Sequence, residues 1–102
     1  MNVCELRIGN YVMVDGKIVK VNSITRRKIG FCNYGRERYV RAANVEPVTI
    51  TKEIADRCEV YLSLDNGKYG VLIGNGFEDV ENLHTLQNLY FMEYKKELKV
   101  NI

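Results

Sequence analysis

Two dipeptides, Asp15-Gly16 and Asn66-Gly67, constrain this chain more than any other feature, because each stands between two runs rich in β-forming residues. A type I′ turn needs positive φ at both central positions, which aspartate and asparagine tolerate and glycine adopts freely. Tyr11 to Val14 and Lys17 to Ile24 are therefore predicted as one hairpin, and Glu59 to Leu64 with Tyr69 to Ile73 as a second. Two such hairpins set an antiparallel sheet as the frame.

Further strands are predicted at Ile29 to Tyr34 and Arg38 to Val40, joined through Gly35 after the basic bend Arg26-Arg27-Lys28. Ala42 to Val45 reads as a single turn, ended at Glu46-Pro47 because the residue before proline avoids the helical region. Thr51 is a candidate N-cap for a short helix from Lys52 to Cys58, with Ile54, Ala55 and Cys58 toward a core. A longer helix is predicted over Leu83 to Met92. Its Leu83, Leu86, Leu89 and Tyr90 share one side at helical spacing, while Thr85, Gln87 and Asn88 turn away. Asn82 would cap it, with Glu78, Asp79 and Glu81 supplying negative charge to its positive end. Leu98, Val100 and Ile102 alternate with polar residues, as a closing strand would. The first hairpin, with its Gly-x-Tyr-Val strand and Val-x-x-Val-x-x-Ile return, begins as many SH3-like barrels begin. The expected architecture is α+β: one domain over residues 1–102, a strongly bent SH3-like antiparallel sheet or partial barrel with two helices packed on it.

At 102 residues the chain can bury one modest core. No apolar run approaches the roughly 20 residues that span a bilayer, and the N-terminus lacks a signal-peptide pattern, so the expectation is a cytoplasmic protein without membrane contact. Cys4, Cys32 and Cys58 are odd in number and form no Cys-x-x-Cys pair, against a disulfide framework or a zinc site. Charge is unevenly placed: residues 1–51 carry nine Lys/Arg against four Asp/Glu, and residues 52–102 six against nine. This asymmetry would steer an anion to the first half, and it also allows head-to-tail self-association into a homo-oligomer.

The functional signal is concentrated between Arg26 and Arg41. Arg26, Arg27, Lys28, Arg36, Arg38 and Arg41 face a single Glu37, with Phe31, Tyr34 and Tyr39 interleaved. Basic side chains hold phosphates and aromatic faces stack on bases, so a nucleotide or single-stranded nucleic-acid surface is expected, with Tyr34 and Tyr39 as the stacking residues. The competing reading turns the aromatics into the barrel and leaves the charges as a solvated face. Gly74-Asn75-Gly76-Phe77 lacks the full phosphate-loop fingerprint and is read as a plain turn. Catalysis is not expected. His84 is the only histidine, and no serine or cysteine stands in a nucleophile motif. His84 is read as a first-turn residue bonded to backbone; no metal ligands and no cofactor are assigned.

The strings Glu5-Leu6-Arg7-Ile8-Gly9-Asn10, Glu46-Pro47-Val48-Thr49-Ile50-Thr51 and Leu83-His84-Thr85-Leu86-Gln87-Asn88-Leu89-Tyr90-Phe91, with Glu97-Leu98 behind the last, together resemble a group of short uncharacterised proteins from phages and prophages of Bacteroides-type bacteria. Ile54 stands where such proteins often carry tryptophan, and Tyr94-Lys95-Lys96 replaces a glycine-containing helix end. The resemblance implies a phage or mobile-element origin and carries no catalytic residue with it. The expected function is a non-catalytic binding module for an anionic nucleotide-containing ligand. That ligand is either single-stranded nucleic acid or a small nucleotide signal, sequestered to blunt host defence. The alternative is a protein-binding adaptor or inhibitor of a host or phage protein.

Overall fold

Each Asx-Gly pair folds as a type I′ turn: Asp15 and Gly16 have φ of 49° and 76°, and Asn66 and Gly67 have 51° and 77°. The computed structural model describes all of residues 1–102, in two compact units, Met1–Val48 and Thr49–Ile102. The division coincides with the change in charge, since no ionisable residue lies between Glu46 and Lys52. All the excess positive charge therefore belongs to the first unit.

The first unit is a five-stranded antiparallel sheet. Its strands are β1 (Tyr11–Val14), β2 (Lys17–Ile24), β3 (Lys28–Asn33), β4 (Arg36–Arg41) and β5 (Glu46–Pro47), in the order β4-β3-β2-β1-β5. β2 bends it. Its first half, Lys17 to Lys20, pairs with β1, and its second half pairs with β3 across a register shift between Val21 and Ser23. One extra residue in a strand kinks it and increases local twist. The concave side is filled by Leu6, Val12, Val14, Val21, Ile29, Phe31 and Val45. β4 and β5 are the two edges; Pro47 sits on one of them, where a missing N–H costs no ladder bond.

The second unit contains α1 (Lys52–Arg57), a sheet of β6 (Ser63–Asp65), β7 (Lys68–Ile73) and β8 (Gly76–Val80) in that spatial order, and α2 (Leu83–Tyr94). Thr51 caps α1 as expected, its Oγ1 accepting the Ile54 N–H at 3.4 Å. The strands thus form two sheets rather than one. It is β7 and β8, with Val71 and Val80 buried, that α2 packs on.

Glu78 and Asp79 lie in β8, not beside the helix start, because Gly74 with φ of 60° opens a two-residue hairpin turn of type II′ that returns the chain as a third strand. Asn82 occupies the N-cap position of α2 but makes no capping bond with its side chain. The buried side of α2 is centred on Leu83, His84, Leu86 and Gln87; Gln87 is inside, whereas Leu89 is only half-buried. Lys95 ends the helix in the left-handed conformation usually taken by glycine, its N–H donating to the Phe91 carbonyl at 2.8 Å. The residues from Leu98 onward form no strand; Val100 makes one isolated bridge to Cys58.

Cys58 is buried, and its thiol donates to the Ile54 carbonyl at 3.3 Å. Burial disfavours the thiolate and pushes its pKa from 9.0 up to about 11. Between these values the folded state holds a proton that the unfolded chain has released. The stabilising effect is therefore complete below pH 9 and falls by about 1.4 kcal/mol per pH unit as pH rises through the window. Denaturation curves at pH 8 and pH 10.5 should show Cys58→Ala losing this part of the pH dependence; identical slopes for both proteins would refute it.

Candidate functional site

The basic residues of the first unit are placed by three short pieces of local structure. Between β2 and β3, the Thr25 Oγ1 accepts the Lys28 N–H at 3.1 Å and the Thr25 N–H donates to the Lys28 carbonyl at 2.9 Å, so Arg26 and Arg27 form the tip of a closed turn. Lys28 and Arg41 are direct partners across β3 and β4. After Arg41 the chain enters a 3-10 turn, Ala42–Asn44, whose Ala42 N–H donates to the Arg27 carbonyl at 2.8 Å and ties the two ends of the site together.

These pieces surround a cleft of about 490 Å³, lined by Met1, Asn2, Val3, Arg26, Arg27, Lys28, Arg41, Ala42 and Ala43. The Met1 amino group donates to the Ala42 carbonyl at 2.8 Å along this wall. No carboxylate lines the cleft. Lys28 and Arg41 are like charges directly opposite one another, an arrangement that costs stability in a bare sheet and that an anion between them would relieve. The volume lies in the range of small-ligand sites, and exposed arginines at its mouth can take phosphate oxygens two at a time.

The eight residues expected to act together run from the β2–β3 turn, which carries Arg26 and Arg27, along the hairpin of β3 and β4. Arg26, Arg27, Lys28 and Arg41 share the cleft at its base. Tyr39 follows on the same outer face, because residues that alternate with Val40 on β4 point away from the core. Arg36 is opposite Asn33 at the far end, about 17 Å from Lys28 over five residue steps. Arg38, opposite Phe31 on the core-side face, lines a separate hollow of about 150 Å³ with Asp15, Lys17, Asn33 and the apolar Val14, Val19, Phe31 and Val40. Tyr34 is at the tip, 90% exposed. Of the three aromatics only Phe31 turns into the core, as the competing reading has it, while Tyr34 and Tyr39 are exposed; all six basic residues are exposed, which that reading also has. Sequence reasoning missed the wall formed by Met1 to Val3, and no signal could have revealed it, since the closing bond spans 41 residues.

Comparison with protein-family models, curated proteins and solved structures finds no match to this chain. His84 is 5% exposed in the first turn of α2, in the second unit. The structure contains no group of three or more histidine, cysteine or acidic side chains arranged to hold a metal ion. No helix is long and apolar enough to cross a membrane.

Proposed function

We propose that the protein is a non-catalytic, phage-type module, SH3-like in its first unit, that captures an anionic nucleotide-containing ligand. The observation that carries this reading is the cleft at the base of β3 and β4, where Arg26, Arg27, Lys28 and Arg41 converge with no acidic residue among its lining. Folding alone does not favour such convergence, because like charges held together destabilise the unit until an anion joins them.

The test is a triple substitution, Arg26→Gln, Arg27→Gln and Arg41→Gln, titrated with nucleoside diphosphates and short oligonucleotides. Each charge-assisted hydrogen bond is worth about 1.5–3 kcal/mol, so affinity should fall by about 100-fold or more. All three positions are exposed, so the thermal midpoint should stay within a few degrees. Unchanged affinity, or no binding of either probe by the unsubstituted protein, would defeat the proposal. Native mass spectrometry of protein taken directly from cells would identify what occupies the cleft.

A second reading, a protein-binding adaptor, is favoured by one observation in the second unit. Leu72 and Phe77 are cross-strand partners on β7 and β8 and remain 69% and 54% exposed. Adjacent exposed apolar side chains of this size are typical of protein contacts. A stoichiometric protein partner that survives nuclease treatment would support it.

A further inference from the structure

We propose that the ligand is a single-stranded nucleic acid lying along the outer face of the β3–β4 hairpin, from the basic cleft across Tyr39 to Tyr34 at the tip. The inference rests on the cleft reading above and extends it from a pocket to a track. Its support comes from the two tyrosines.

Tyr39 is held on one side only. Gly30 is its direct partner on β3, and a Cβ added at Gly30 would lie 2.8 Å from Cε1 and 3.2 Å from Cδ1 of the ring, so the ring rests against the glycine. Its other side is open to solvent, and the residue is 55% exposed. A ring fixed on one face and free on the other is a stacking platform that loses little entropy when a base settles on it.

Tyr34 is the first central residue of the β3–β4 turn, with φ of 52°, followed by Gly35 at 77°. Asparagine, aspartate or glycine serves that position without strain, as Asp15 and Asn66 do in the other two-residue turns of this type, whereas a bulky side chain rarely takes positive φ. With the side chain almost fully in solvent, folding gains nothing in return. Strain retained without internal compensation points to a role in binding.

The spacing selects a polymer. The cross-strand rows on the outer face run from Lys28 and Arg41, through Gly30 and Tyr39, to Cys32 and Glu37, and then to the tip. A mononucleotide in the cleft cannot span the roughly 17 Å to the end of β3, whereas a strand of a few nucleotides can. Glu37 is the one negative charge on this path, so a strand passing it must keep its phosphates turned to solvent and its bases toward the two rings.

The experiment measures fluorescence anisotropy with oligothymidylates of two, four and eight nucleotides and competition by a nucleoside diphosphate, for the unsubstituted protein, Tyr34→Asn and Tyr34→Phe. Affinity should rise with length. Tyr34→Asn should weaken the octamer about tenfold, the range of one lost stacking contact, while its thermal midpoint stays level or rises because asparagine suits the turn. Tyr34→Phe, which keeps the ring, should bind as the unsubstituted protein does. A nucleoside diphosphate that binds as tightly as the octamer, or an octamer indifferent to Tyr34→Asn, overturns the track and leaves the cleft standing. Failure of every probe to bind overturns both.

Discussion

Leu86→Ala is expected to destabilise the second unit by about 2–5 kcal/mol, the range for removing a buried leucine side chain. Leu86 is 0% exposed, on the face of α2 that packs on β7 and β8. Its loss leaves a cavity that helix and sheet cannot close without moving the backbone, so the cost exceeds the transfer free energy of the missing methylenes. Leu89→Ala is the control. Leu89 is half-buried and its truncation should cost clearly less, although periodicity alone ranks the two leucines equally. Chemical denaturation of both variants reads the difference, and equal midpoints would show that α2 is rotated from the orientation described.

Ile29→Ala is expected to cost a similar amount, about 2–5 kcal/mol, in the first unit. Ile29 is 0% exposed on β3, a strand paired on both sides, and it lies between Lys28 of the cleft and Gly30 under Tyr39. The variant should therefore lose stability and ligand affinity together as β3 loosens, whereas the arginine substitutions should lose affinity alone. A normal midpoint for Ile29→Ala would remove this strand from the core. Ile24→Ala, at a half-buried position, should be milder.

What could be read from the sequence follows from the range of the interactions involved. Asp15-Gly16 and Asn66-Gly67 announce their hairpins because the turn energy is local to two residues, and Thr51 announces α1 because a cap acts within one turn. β8 was missed because Gly76-Phe77-Glu78-Asp79-Val80 shows little strand alternation and becomes a strand through its pairing with β7. The buried position of Gln87 was missed because polarity alone assigns it to water, while its place on α2 is set by the neighbours of the folded unit. At the site, the residue types were legible but their partition was not. Strand parity separates Arg38 from Tyr39, and the register of β3 with β4 places Lys28 against Arg41 and Asn33 against Arg36. The Ala42 N–H bond to Arg27, which joins the two ends of the cleft, depends on that same long-range pairing.

β4 is also an edge, and this gives its arginines a second consequence. The outer side of Arg36 to Arg41 offers backbone donors and acceptors with no neighbouring strand, the kind of template on which another chain can extend a sheet. Arg36, Arg38 and Arg41 make that addition unfavourable for an identical copy, because two such edges would bring like charges together. Neutral replacements at these three positions would lower the barrier to edge-on pairing of two copies, and with it the barrier to fibrous growth.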